Sequence, residues 1–593
     1  MIKYRNFVFK VFNVKGLSIS PGYALGKIYC LKHFQLDSLP TEDVQEVNVE
    51  AEIERFNVAL EISRNEITQM LDMPQIKSSA EISNIFQAHL TLVDDPDLRK
   101  EIIKRIKEQK QSCQSAVSRV IKDYSTFFKN LPDPQFQSKA IDILDIGKRI
   151  LKNSQKSKSP TTKLEELEEG MIVLAEDLTP SDMMILDPSR ILGIAIEEGT
   201  TTSHAAIMAR SLGIPALIQV KDLMKKAEDG SYAIIDGSSE QIFLNPDEKL
   251  KYRYQKEFLE YQNRQRRIFE VLSEPSVTKD GVEIKLKANV GQLSDIEQAV
   301  KNNACGVGLY RTEFAYLTRR TFPTEEELYE SYVEALKKMN GNPLVFRTID
   351  LGGDKISHLT GNNIEQNPEL GWRAIRISLE CKDLFVTQLR AILRTAIDGA
   401  KDQVRILFPM ICSMEELDEA KKILFDVKAQ MIKEGYKLPK KIKIGMMVEV
   451  PSVAIMADLY ASEVDFFAIG SNDLVQYTLA VDRTNPKVTH LYKPTNPAIL
   501  YLIKHVVEAA KNHNTEVCIC GEIAGDTKYT ILLIGLGLRE LSMNSVLIPS
   551  VKNIVRNISL KEIQKLIAPL LNLKSSAEIE SELSKLNNKL GLL

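Results

Sequence analysis

The sequence has little cysteine, no long apolar run and no excess of either charge, and each absence removes a class of protein. Its seven cysteines (Cys30, Cys113, Cys305, Cys381, Cys412, Cys518, Cys520) are odd in number and scattered through 593 residues. That is not a disulfide framework, and it points to a reducing compartment, the cytoplasm. Nowhere do the roughly 18 uncharged apolar residues of a membrane-spanning helix run together. The amino end, MIKYRNFVFKVFNVKG, interleaves Lys and Arg with its apolar residues and lacks the unbroken apolar core of a signal peptide. Neither export nor membrane insertion is expected. With 77 Lys and Arg against 80 Asp and Glu, the formal net charge is −3, so no basic surface marks nucleic acid as a partner.

What is there is an ordinary globular composition, 44% hydrophobic and 26% charged, in a chain too long for one core. At roughly 100 to 200 residues per domain, several are expected. Residues 1–36 read as an amino-terminal extension followed by the first strands, with a turn at Pro21-Gly22. Residues 37–158 carry long patterns with apolar spacings of three and four, such as VEAEIERFNVALEISRNEITQML, and read as a helical unit inserted early. From 159 to 245, short β-branched runs alternate with helices and Gly or Pro punctuation, a compact α/β unit to which the first strands belong. The heavily charged 246–275 segment reads as an exposed linker helix.

From 276 to 593 strand-like runs recur among helical patterns: VEIKLKANV, CGVGLYRTEF, PLVFRTIDLGG, QVRILFPMI, IGMMVEVPS, VDFFAIGSND, EVCICGEIAGD and LRELSMN. Eight strands separated by helices are what a (β/α)8 TIM barrel requires, and in that fold the active site lies at the strands' carboxyl ends. Polar or reactive residues end these apolar runs: Asn289, Arg311, Arg347, Glu449, Asn472 with Asp473, and Cys520.

Those residue types define a chemistry. The planar guanidinium fork matches phosphate and carboxylate, so Arg311, Arg347, Arg373 and Arg483 are candidates to clamp a small, multiply charged anion. Glu449 and Asp473 end successive predicted strands, and two carboxylates that share a hard cation with substrate oxygens are the pattern of Mg2+. Zinc is not expected, because no histidine pair or second cysteine pair completes a tetrahedral set around Cys518 and Cys520. Cys518 reads as a small buried hydrophobe. Cys520, at a strand end, is placed to donate or accept a proton.

One histidine stands outside the barrel, in GTTTSHAAIMARSLGIPALIQV (199–220). Thr202 and Ser203 are capping residues and Gly213 and Pro215 close the helix. A neutral imidazole at a helix amino terminus is a competent phosphoryl acceptor, because free amides and the helix dipole favour the resulting anion. Alone, His204 reads by default as a cap or solvent-facing residue; beside an anion-clamping barrel it becomes a candidate phosphoryl carrier.

Together these motifs resemble enzyme I of the bacterial phosphoenolpyruvate-dependent sugar phosphotransferase system, a phosphoenolpyruvate-protein phosphotransferase. The likeness runs in order through SPGYALGK, DIGKRIL, TSHAAIMARSLGIPA, GVGLYRTEF, FPTEEE, RTIDLGGDK, NPELGWRAIRI, FPMI, VEVPS, IGSNDLVQYTLAVDR and CGEIAGD. The resemblance implies a phosphohistidine at His204, charged from phosphoenolpyruvate and discharged onto the phosphocarrier protein HPr, which docks on the helical insert. It implies that Arg311, Arg347 and Arg373 bind phosphoenolpyruvate with Asn472, Asp473 and Arg483, that Glu449 and Asp473 hold Mg2+, and that Cys520 protonates the enolate carbon to release pyruvate. A homodimer through the barrel is implied as well.

The sequence also departs from that pattern. Thr200 and Thr201 stand where the family commonly has Gly and Arg, Leu144 where it has Arg, and Ile356-Ser357 where it has Glu-Leu. Loss of a cation beside the carrier ring predicts a slower phosphohistidine, and leaves as the alternative a weakly active regulatory phosphocarrier that senses phosphoenolpyruvate. A nucleotide-dependent relative such as pyruvate phosphate dikinase is disfavoured, since no GxxxxGK[ST] loop precedes the histidine segment.

Overall fold

The computed structural model describes residues 11–592 except 21, 32–47, 74–79, 130–133, 155–167, 187–189, 200–205, 207, 210–212, 318–320, 353–366, 484 and 486. The chain divides into two compact units, Met1–Asn263 and Arg264–Leu593.

The first unit is built on an eight-stranded mixed sheet: β1 Phe12–Lys15, β2 Leu17–Ser20, β3 Tyr23–Leu31, β4 Met171–Ala175, β5 Ile191–Ile196, β6 Ala216–Ile218, β7 Tyr232–Asp236 and β8 Gln241–Leu244. Their order is β1-β8-β7-β3-β4-β5-β6-β2. The central strand β3 runs parallel to β4 and antiparallel to β7, so the early strands belong to the same sheet as the later α/β segment. The extension contributes more than the sequence indicated, because Phe12–Lys15 pairs antiparallel with Gln241–Leu244 at the sheet edge.

Between β3 and β4 the chain leaves the sheet for helices at Val49–Asp72, Ala80–Val93, Pro96–Glu108, Cys113–Lys129 and Pro134–Ser154. Their apolar faces meet around Phe56, Ile67, Phe86, Ile121, Ile146 and Ile150. Inside lies a polar knot: His89 is fully buried, with Nε2 3.0 Å from Asp142 Oδ1 and Nδ1 3.6 Å from Asp145 Oδ2. Leu144, at the departure noted above, packs against the apolar core of this unit.

The helix Glu248–Glu270 crosses the division between the units. Its first turns are anchored on the sheet by Tyr254, buried against Phe243 and Tyr23, with its hydroxyl 3.2 Å from Asp236 Oδ2.

The second unit is a closed barrel of eight parallel strands: β9 Lys285–Val290, β10 Val307–Arg311, β11 Leu344–Arg347, β12 Val404–Phe408, β13 Lys443–Val448, β14 Phe466–Gly470, β15 Glu516–Cys520 and β16 Glu540–Asn544. Seven of them lie within one of the eight apolar runs, and β13 begins one residue before its run, at Lys443. Such strands are buried on both faces, which is why they read as near-continuous Val, Ile, Leu and Phe. Leu309, Val345, Leu407, Met447, Phe466, Ala468 and Cys520 form a cluster within the barrel, separate from the larger core under the surrounding helices. Helix starts are set locally, as in FPTEEE: Thr324 Oγ1 accepts from the Glu327 amide at 3.3 Å while Glu327 accepts from the Thr324 amide at 2.8 Å.

At the amino-terminal rim the barrel is closed by ion pairs. Lys285 and Lys287 pair with Glu540, and Arg405 and Lys443 with Glu516. Burial pushes the Glu516 carboxyl up, but Lys443 and Arg405 outweigh it and hold the group down at about 2. The opposite, carboxyl-terminal rim carries the candidate site.

Candidate functional site at the carboxyl end of the barrel

Arg311 and Arg347 are the last residues of β10 and β11, and Cys520 is the last of β15. Glu449 follows β13 directly. Asn472 and Asp473 differ from the sequence expectation in detail: β14 ends at Gly470 and a helix begins at Ser471, so both stand in the first turn of helix Ser471–Leu479. Asn289 is the penultimate residue of β9, tied to β16 through Ser542, whose hydroxyl donates to Asn289 Oδ1 at 2.6 Å.

The arginines are not equivalent. Arg311 is exposed and has no hydrogen-bond or ion-pair partner among the described residues. Arg347 is buried, with Nη2 2.9 Å from Glu313 Oε1 and Nη1 2.8 Å from Asp350 Oδ2. Burial works against its charge, yet Glu313, Asp350, Glu449 and Asp473 together hold its pKa above the ordinary arginine value. Arg373, also buried, places Nη2 2.9 Å from Asp350 Oδ1 and 3.9 Å from Asp473 Oδ2, while Nη1 pairs with Glu369 and donates to Tyr477 Oη at 3.1 Å. Arg483, half-buried, has Nη2 3.7 Å from Asp473 Oδ1. Asp350 thus bridges Arg347 and Arg373, and Asp473 links Arg373 to Arg483.

Two backbone features hold this arrangement. Ala374, next to Arg373, has φ +54°, and Met410, after β12, has φ +57°; positive φ is uncommon for residues with a Cβ and concentrates at functional sites. Gln388, fully buried, accepts from the Ile349 amide at 2.9 Å and donates to Thr312 Oγ1 at 2.9 Å, tying together the loops after β10 and β11.

Glu449 is fully buried. Its Oε1 accepts the Met410 amide at 2.6 Å, while Oε2 has no hydrogen-bond partner among the described residues. Asp473 Oδ1 likewise accepts no hydrogen bond. Burial, then the charges of Asp473 and Asp350, push the Glu449 carboxyl up to about 8. A buried acid with an unused oxygen beside a second carboxylate is relieved by a cation, and the donor set fits one that takes two carboxylates and completes its shell with water and substrate oxygens. Among the described residues no group of three or more His, Cys, Asp or Glu forms a metal cage. Gly470 makes room for this carboxylate: a Cβ there would stand 2.6 Å from Glu449 Oε2 and 2.9 Å from the Met447 methyl.

Cys520 is buried, its thiol 3.5 Å from the Ile469 carbonyl. Burial, then Glu449, pushes it up to about 12, against the opposing pull of Arg347 and Arg311. It is a protonated thiol at neutral pH, suited to giving a proton to a strong carbon base. Asn472 Nδ2 is 3.4 Å from Glu522 Oε1, and Asn472 Oδ1 accepts the Glu522 amide at 3.2 Å.

The mouth therefore sets four guanidiniums against Glu313, Asp350, Glu369, Glu449 and Asp473. Glu313, Asp350, Glu369 and Tyr477 carry this network and were not singled out from the sequence. The available signal was local: Glu313 follows Arg311 by two residues and Asp350 follows Arg347 by three. His204, with Thr200 and Thr201, lies outside the described residues, as do Ile356 and Ser357. The neighbouring Ala206, Met208 and Ala209 are helical and buried, and Gly213 follows with φ +66°.

Residues 15–139 match the family described as PEP-utilising enzyme, N-terminal; residues 167–240 match PEP-utilising enzyme, mobile domain; and residues 265–560 match PEP-utilising enzyme, PEP-binding domain. The chain is 38% identical over 566 residues to the phosphoenolpyruvate-protein phosphotransferase of Priestia megaterium, covering 95% of this chain and 97% of that protein. The chain belongs to the phosphoenolpyruvate-protein phosphotransferase family. Identity is again 38% to the relatives from Staphylococcus aureus (strain MRSA252), over 95% of this chain and 98% of that protein, and from Geobacillus stearothermophilus, over 96% and 97%. Among the described residues no helix is long and apolar enough to cross a membrane.

Proposed function

We propose that this protein takes the phosphoryl group of phosphoenolpyruvate onto His204 and passes it to the histidine of HPr, releasing pyruvate, in the cytoplasm. The observation that carries the reading is the barrel mouth itself: arginines at two adjacent strand ends, a buried acid with an unused oxygen, and a buried thiol at a third strand end. Arg311, Arg347 and Arg373 bind the carboxylate and phosphate of the substrate, assisted by Asn472, Asp473 and Arg483. Glu449 and Asp473 hold Mg2+, which when bound neutralises charge on the phosphoryl oxygens.

The imidazole nitrogen of His204 attacks phosphorus in line with the departing enolate oxygen. The P–O bond breaks, an N–P bond forms, and the electron pair stays with the enolate. The arginines stabilise the phosphoryl charge in place, so catalysis is mainly positioning and electrostatics. Cys520 gives its proton to the methylene carbon of the enolate, which completes pyruvate.

A histidine that meets both the barrel and an incoming protein has to travel. The charged segment 246–275 serves as the pivot, on the microsecond-to-millisecond scale of domain motions. HPr docks on the helical insert, residues 37–158. Supporting a homodimer through the barrel, Ile455, Met456, Leu459 and Tyr501 are exposed on adjacent helices of its surface.

The test is phosphorylation of purified HPr with phosphoenolpyruvate as the only donor. Phospho-HPr and pyruvate in equal amounts are expected, and pyruvate release without phospho-HPr would remove the partner from the account.

A further inference from the structure

We propose that Glu369 is a built-in competitor for the substrate anion, a carboxylate that occupies Arg373 while the barrel mouth is empty and gives way when an anionic group of phosphoenolpyruvate arrives. The inference rests on the reading above that Arg373 binds this substrate.

Arg373 is held by two kinds of acid. Asp350 is 3% exposed at its side chain and also grips Arg347, so it is a fixed part of the scaffold. Glu369 is 47% exposed at its side chain, and Arg373 is its sole side-chain partner among the described residues. Swinging that carboxylate into water breaks one contact and frees one N–H of Nη1, while the other still donates to Tyr477.

The turn that carries Glu369 is pinned while its side chain is not. Tyr477 donates to the Glu369 carbonyl at 2.6 Å, and Arg376 Nη1 donates to the carbonyls of Leu370 and Gly371 at 2.9 and 2.8 Å. The Leu370 amide closes the turn onto Asn367 O at 3.0 Å. Tyr477 also accepts from Arg373 Nη1, so one hydroxyl sets both the arginine and the backbone from which the competing carboxylate reaches it. Arg311, with no such partner among the described residues, is open to an arriving anion, and Arg373 is gained by exchange.

An internal competitor lowers affinity for every anion that uses Arg373 by the strength of one half-exposed ion pair. Removing its charge tightens binding roughly two- to fivefold. The experiment is calorimetric titration of the full chain in a His204→Ala background, which prevents turnover, with and without Glu369→Gln and with Glu369→Ala as the second variant. Two probes are used: inorganic phosphate alone, and phosphoenolpyruvate with Mg2+. Tighter binding of both in both variants, with unchanged thermal unfolding, is the expected result. Unchanged or weaker phosphate binding in both variants would overturn the proposal and make Glu369 a support for Arg373. Tighter phosphate binding with no measurable phosphoenolpyruvate binding in any protein would uphold the competitor and instead remove the substrate assignment.

Discussion

Met410 donates its backbone amide to Glu449 Oε1 at 2.6 Å from a left-handed conformation, φ +57°. The bond fixes one carboxylate oxygen of a fully buried acid and leaves the other unused, on the side where Gly470 has no Cβ. Both the strained residue and the glycine are explained by the same need, a carboxylate presented in one orientation.

Gly470→Ala should therefore act on the proposed Mg2+ site. The added methyl meets Glu449 Oε2 at 2.6 Å, and disturbing the surroundings that orient a ligand typically costs about 10- to 100-fold in metal affinity. A Mg2+ titration of pyruvate formation should show that rise in the half-saturating concentration. An unchanged titration would mean that Glu449 holds no metal.

Cys520, pushed up to about 12 by burial and Glu449, stays a thiol throughout the working range. A raised pKa keeps the proton on as pH rises, so single-turnover pyruvate release should show no inflection from this group between pH 6 and 9. Cys520→Ala should slow that step far more than it weakens phosphoenolpyruvate binding. An inflection near the ordinary thiol value of about 8.5 that disappears in the variant would contradict the assignment.

The eight barrel strands were legible because burial on both faces leaves little room for polar residues until the strand ends, where Arg311, Arg347 and Cys520 stand. The position of Asp473 was less so: SND was read as a strand end, but Gly470 closes the strand and Ser471 opens a helix. Glu313, Asp350 and Glu369 were not legible as a group, since their meeting at Arg347 and Arg373 depends on barrel closure and on the fold of the loops. The same holds for Phe12–Lys15, whose partner Gln241–Leu244 lies at the far end of the unit. No local pattern announces a pairing of that range.

The ionic rim at the other end of the barrel gives a stability signature. Lys443 and Arg405 hold the Glu516 carboxyl at about 2, below its unfolded value of about 4.3. A depressed acid binds fewer protons in the folded state, so its contribution is complete above about pH 4.3 and fades as pH falls toward 2. In denaturant unfolding from pH 5 to 2.5, Glu516→Gln should be less stable than the parent at the upper end and lose less of its stability across the window. Parallel curves for the two proteins would place the acid sensitivity elsewhere.

The departures at Thr200 and Thr201 make His204, the proposed carrier, the point on which the account turns. The direct measurement is incubation of the protein with radiolabelled phosphoenolpyruvate and Mg2+, comparing the parent with His204→Ala. The account predicts acid-labile label on the parent and none on the variant. No label on the parent, or label that survives His204→Ala, would contradict it.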